Sequence, residues 1–281
     1  MESEGDGRLL IEYAVERGLR LKPLYGEPAP DSGERDVYVE AGAGLSGDVK
    51  VVAEDMYIEA PARVTFAEVG NNIARKAPAL WLPFLPADDC AAVGEMLMEY
   101  PANPLAPIYG ELPRMTLGVE GLLGTGGFVR TGRRTVKGVV GYELTGLLIG
   151  SGNRLGLISR VRFRLWARPP ARVVWAAVEE FGPRWDETLK MKRAVPFNLD
   201  GCPAVYAEGR REWLGALVKE IQSTTDVKWE EAATGDDALE VLGSHFDRSE
   251  PLSSETTGAG GLLRELGGPF YAAEDYKDGE S

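Results

Sequence analysis

The sequence predicts an α+β protein, and three observations lead there. Short strand patterns alternate with helical ones up to about Pro170, with no long apolar run among them. Pro169-Pro170 then interrupts the chain, because neither residue can donate to a sheet, and a second, smaller set of strands and helices follows. Between Thr131 and Pro169 runs a glycine-spaced stretch, TGRRTVKGVVGYELTGLLIGSGNRLGLISRVRFRLWARP. Glycines so placed serve tight turns and close backbone approaches, and a segment this poor in side chains leaves room for something large.

Taken in order, residues 8–17 carry a helical stripe at Leu9, Leu10, Tyr13 and Ala14, and Gly18 ends it. A strand fits 19–24, a Gly/Pro loop 25–35 and a second strand 36–40. A strand pair over 49–54 and 56–59 turns at Glu54-Asp55. Thr65-Phe-Ala-Glu68 is a capping box opening a helix to about Arg75. After the break at 83–86, Asp88-Asp89 can cap a helix reaching Met98. Residues 101–113, with four prolines, read as irregular. Strands follow over 117–123, 127–130 and 157–166, with a short helix opening at Gly141-Tyr142. Beyond the prolines, strands fit 172–177, 194–199, 204–208 and 227–231, and helices fit 179–191, 210–223 and 236–242. Together they suggest a split βαβ-like layer. Trp175, Trp185, Trp213 and Trp229 are its expected core. From Ser244 the composition turns to Ser, Thr, Gly and Glu, a loosely packed tail. The expected domains are therefore 1–170, with an internal split near 53–60, then 171–245, then the tail 246–281.

Charge and composition exclude several functions. A net charge of -13 argues against broad binding to nucleic acid or anionic membrane, although the turn RTGRRTVK at 130–137 is locally basic. No stretch is apolar enough to span a bilayer and the N-terminus is acidic, so a cytoplasmic protein is expected, or one peripheral to the membrane through partners. Two distant cysteines, Cys90 and Cys202, and the single His245 cannot by themselves ligate an iron–sulfur cluster or a structural zinc. The adjacent carboxylate pairs Asp88-Asp89, Glu179-Glu180, Glu230-Glu231 and Asp236-Asp237 read as caps or solvated faces, since neighbours in sequence point apart. Lys190-Met-Lys-Arg193 reads as a helix C-terminal charge cluster, and no P-loop or Ser-His-Asp set can be assembled.

The run Lys137, Gly141-Tyr142-Glu143-Leu144, Gly150-Ser151 and Leu155-Gly156-Leu157-Ile158-Ser159 resembles the FAD-binding (PCMH-type) domain of the vanillyl-alcohol oxidase/p-cresol methylhydroxylase family. It is most similar to the smaller flavin subunit of glycolate oxidase. The likeness extends back through Asp55 to Val69, Pro86 to Gly94, Tyr109-Gly110 and Leu117-Gly118. It implies a PCMH-type domain of two α+β subdomains holding FAD non-covalently, under a small α+β cap. Cofactor contact would fall to Gly26, Ala91, Ala92, Gly94, Tyr109, Gly110, Gly141, Gly156 and Ile158, with no metal and with the catalytic residues unassigned.

The chain departs from that family at the phosphate loop, where Tyr25 to Gly33 keeps one glycine at its start. Its two prolines delete amide donors, and Glu27 and Asp31 add negative charge. A carboxylate about 4 Å from a phosphate charge costs roughly 4 kcal/mol at an effective dielectric near 20. Glu95 also replaces part of a Gly-Gly pair beside the flavin. With only His245 available, a base for a 2-hydroxy acid is missing, so the chain is not expected to be catalytically self-sufficient. The resemblance then implies a subunit of a multi-subunit 2-hydroxy-acid dehydrogenase of the glycolate or lactate type, beside a second flavin subunit and an iron–sulfur subunit. Two versions stay open: a subunit that binds FAD and takes part in redox transfer, and a flavin-free structural subunit.

Overall fold

The computed structural model describes residues 4–25, 36–40, 48–86, 88–100, 102–132, 144–152, 154–178, 194–200, 202–225 and 228–245. Gly26 with the rest of the loop to Gly33, the basic residues 133–137, Gly141 and the helix start there lie outside them. So do the helix expected over 179–191 with Trp185, the cluster 190–193 and the tail 246–281.

The described residues form an α+β fold around two sheets. The first is antiparallel, in the order β3 (Lys50–Val52), β4 (Tyr57–Pro61), β8 (Gly156–Arg164), β6 (Thr116–Leu123), β7 (Phe128–Arg130). Its register shifts between Glu120 and Gly121, which pair with Arg160 and Ile158 in turn. The extra residue, Ser159, is a β-bulge that lets Ile158, Val161 and Phe163 all join one core although their spacing breaks strict alternation. That core also takes Phe66, Val69 and Ile73 from α2 (Phe66–Lys76) and Val93, Met96 and Leu97 from α3 (Val93–Glu99). Thr65 caps α2 as expected: its Oγ1 accepts the Glu68 N–H at 3.1 Å, and Glu68 accepts the Thr65 N–H at 2.9 Å.

Several boundaries move for physical reasons. Helix α3 starts at Val93 instead of just after Asp89, because Ala92 is held extended in a bridge to Thr65. Asp88 makes a local turn, accepting the Cys90 N–H at 2.8 Å. The proline-rich segment is not wholly irregular. It forms α4 (Ala106–Tyr109) and α5 (Leu112–Met115), each with proline in its first turn, where a missing N–H costs nothing. The long strand expected over 157–166 breaks at Leu165, which turns its N–H to Met56 O at 2.7 Å, and β9 (Trp166–Ala167) pairs separately with β5 (Leu80–Trp81). Helix α6 is described over Leu144–Leu148.

At the N-terminus α1 (Glu4–Arg17) begins earlier than expected and turns its buried face: Ala14 is buried and Leu10 packs with it as expected, Ile11 joins them, and Leu9 and Tyr13 lie exposed. Those buried residues meet Leu122 and Leu157 of the large sheet and the parallel pair β1 (Arg20–Leu24) and β2 (Asp36–Glu40).

The second sheet is antiparallel in the order β11 (Ala194–Leu199), β12 (Cys202–Gly209), β10 (Ala171–Ala177), β13 (Trp229–Thr234). Strand β10 lies between β12 and β13, so β12, α7 (Arg211–Thr225) and β13 make a split βαβ unit. Both faces are covered. Val173, Trp175, Val205 and Ala207 pack on Leu214, Leu217 and Ile221 of α7. Val174, Ala204 and Tyr206 face Ala238 and Leu242 of α8 (Gly235–His245), together with Trp81 and Leu105 of the preceding segment. Trp175 and Trp229 are core residues as expected, whereas Trp213 is 37% exposed and lies over Gly209. No helix among the described residues is long and apolar enough to cross a membrane.

Candidate functional site

The chain brings three distant segments together at one point of the first core. The Val93 N–H donates to Val64 O at 2.8 Å and the Gly94 N–H to Ala62 O at 2.7 Å, which clamps the start of α3 against the turn after β4. The opening residues of β8 lie across from it, and Tyr25, at the end of β1, inserts between them. Its hydroxyl accepts the Ile158 N–H at 2.9 Å, and its ring covers Gly94. A Cβ at position 94 would stand 2.4 Å from the Tyr25 ring and 2.9 Å from Ala62 Cβ, so only glycine accommodates this ring. Tyr25, Ala62, Ala92, Gly94 and Ile158 are all buried. Among the described residues, the tyrosine ring fills the space that Gly94 leaves. Burial pushes the Tyr25 phenol far above its usual range, against a smaller opposing effect of the Ile158 N–H, so the hydroxyl stays protonated.

The predicted site residues thus divide. Gly94 and Ile158 meet Tyr25, Ala92 belongs to the same buried core, and Ala91 is half-buried against that core. Gly156 serves strand pairing: a Cβ there would meet Leu122 O at 2.1 Å. Glu95, expected to bring its charge into the slot, is exposed. On the same helix face-off with solvent, Glu99 is held above the usual carboxylate range by burial first and by Glu95 second.

Tyr109 and Gly110 belong to a different junction. Gly110, at φ 89°, ends α4 and leaves the Tyr109 ring edge-on to Trp81 and to Trp166, each at 5.6 Å between centroids. The Tyr109 hydroxyl donates to the Glu208 carboxylate, which also accepts from Tyr206 at 2.7 Å. Arg172 completes the cluster. Its Nε lies 3.8 Å from Glu208, its Nη1 donates to Asp236 at 2.8 Å, and its guanidinium carbon lies 4.3 Å from the Trp81 ring centre. Arg172 and Glu208 are 5% and 4% exposed, so this is a buried ion pair between adjacent strands of the second sheet, and Tyr109 and Trp81 tie it to the segment before. Burial, then the Glu208 charge, raises the Tyr206 phenol well beyond its ordinary range. Sequence reasoning passed over Arg172, Glu208 and Tyr206. The available signal was a single charge inside each of two otherwise apolar strands, ARVVWAA and CPAVYAEG.

His245, which the composition assigns to the loosely packed segment from Ser244, instead ends α8, with Nδ1 3.0 Å from Val241 O and Nε2 3.3 Å from Asp200. No group of three or more His, Cys, Asp or Glu capable of holding a metal occurs among the described residues.

No protein-family model matches the chain. A D-lactate dehydrogenase of Archaeoglobus fulgidus is 28% identical over 252 residues, covering 84% of this chain and 53% of that protein. An FAD-linked oxidoreductase of Mycobacterium tuberculosis is 29% identical over 144 residues, 46% of this chain and 31% of the relative. Glycolate oxidase subunit GlcE of Escherichia coli is 33% identical over 70 residues, 25% of this chain and 20% of the relative. Among solved structures, alkyldihydroxyacetonephosphate synthase superposes with a TM-score of 0.62 at 14% identity, covering 86% of this chain and 53% of that one. The chain spans about half the length of the first of these relatives. It is a distant homologue of the FAD-linked oxidoreductases and has the α+β fold of their PCMH-type FAD-binding domain.

Proposed function

We propose that the chain is a subunit of an FAD-linked oxidoreductase acting on a 2-hydroxy acid of the D-lactate or glycolate class. It works beside a second, flavin-carrying subunit and an iron–sulfur subunit that takes up the electrons. Oxidation of a 2-hydroxy acid to the 2-oxo acid releases two electrons and two protons, and the complex as a whole passes them on.

The observation that carries this reading is the 252-residue similarity to a D-lactate dehydrogenase, which runs through most of the chain. The shorter similarity to a glycolate oxidase subunit supports its place in an assembly. Affinity purification of the tagged full-length chain from its native host, followed by dye-linked oxidation of D-lactate and glycolate, tests it. The expected result is turnover by the co-purified assembly and none by the chain alone. Turnover by the isolated chain, or an assembly inert to both acids, contradicts the reading.

A further inference from the structure

We propose that Tyr25 is a built-in occupant of the flavin slot, so that this chain folds with the slot closed and carries no FAD of its own. The inference rests on the proposed subunit role and assigns the flavin of the complex to another subunit.

The position the family resemblance gives to the flavin is bounded by Ala92 and Gly94 on one side and by Ile158 on the other. In this chain a planar ring already lies against Gly94 and reaches Ile158. The ring belongs to Tyr25, and two of its carbons lie 2.4 and 2.6 Å from where a Cβ on residue 94 would stand. The glycine that would let a cofactor approach the backbone is therefore used by a side chain. The Ile158 N–H, a buried donor that must find an acceptor, is satisfied by the Tyr25 hydroxyl at 2.9 Å. A flavin entering here would have to expel a buried aromatic ring and replace that hydrogen bond. Tyr25 also opens a loop whose sequence holds prolines at 28 and 30, which lack amide donors, and the acidic residues Glu27 and Asp31. Among the described residues the fit to FAD fails on geometry already, before the loop is considered.

Titration of the purified full-length chain with FAD, read by flavin fluorescence and by flavin retained through gel filtration, tests the proposal. Wild type and Tyr25→Phe, which keeps the ring, are expected to retain none. Tyr25→Ala, verified as folded by circular dichroism, is expected to bind FAD about tenfold or more tightly than Tyr25→Phe. Stoichiometric FAD on the wild type overturns the proposal, as does a folded Tyr25→Ala no better than Tyr25→Phe. Should Tyr25→Ala not fold, hydrogen exchange of the Ile158 amide in the wild type decides: unchanged protection on adding FAD supports the closed slot, and altered protection overturns it. An assembly inert to 2-hydroxy acids would sink the proposed function and leave these binding results standing.

Discussion

Glu208→Gln is the substitution whose cost the structure specifies best. The glutamine keeps the shape of the side chain. Its amide oxygen can still accept from one tyrosine, and its NH2 group can donate to the other, so the contacts with Tyr109 and Tyr206 survive. What disappears is the charge facing Arg172 at 3.8 Å. At an effective dielectric near 20 that attraction is about 4 kcal/mol. Arg172 would remain buried, its Nε and Nη2 without hydrogen-bond partners, facing only the Trp81 ring and the exposed Asp236. Removing one member of a buried pair costs about 3–5 kcal/mol, which sets the expected loss for Glu208→Gln. Arg172→Met should cost a similar amount by stranding the carboxylate, whereas the double variant should lose less than the sum by more than about 2 kcal/mol. Urea unfolding followed by far-UV circular dichroism and by tryptophan fluorescence measures all four proteins. Losses that add to within about 0.5 kcal/mol would mean that the two side chains do not act as a pair.

Three further outcomes are expected. Thr65→Ala removes the acceptor for the Glu68 N–H and should lower stability by about 1 kcal/mol, with Thr65→Ser restoring it; thermal unfolding checks both. Gly94→Ala, ordinarily neutral or favourable in a helix, should here cost roughly 1–3 kcal/mol by forcing the Tyr25 ring aside, and a stabilised variant would mean that the ring does not sit there. Burial holds the Glu111 carboxyl above its usual range, and one of its oxygens is buried without a partner. The folded state therefore favours the protonated acid. Its contribution is full below the unfolded carboxylate range and is lost as pH rises through the raised folded value. Glu111→Gln should accordingly melt higher than wild type near neutral pH, with the difference closing as pH falls below about 4.

Much of the scaffold is legible in the sequence because it depends on neighbours. The Thr65–Glu68 box sets the start of α2, the glycine after Arg17 ends α1, and the apolar run Val173 to Ala177 marks β10. The misreadings arise where distant residues decide. Ala92 is extended because Thr65 pairs with it, so α3 starts late. The buried face of α1 is chosen by Leu122 and Leu157, so Leu9 and Tyr13, apolar though they are, face solvent. The candidate site is the extreme case. The Tyr25–Ile158 hydrogen bond spans 133 residues of sequence and the Tyr109–Glu208 bond spans 99, and no periodicity records either. Gly156 is legible as a place that excludes a side chain, and Gly94 only through the family resemblance. What occupies the space they leave is not, since the occupant comes from elsewhere in the fold.

Anaerobic addition of D-lactate or glycolate to the affinity-purified assembly, with its visible spectrum recorded before and after, asks whether the complex oxidises a 2-hydroxy acid through a flavin. The expected result is an oxidised-flavin spectrum that bleaches with one of the two acids. An assembly that shows no flavin, or a flavin that neither acid reduces, would contradict it.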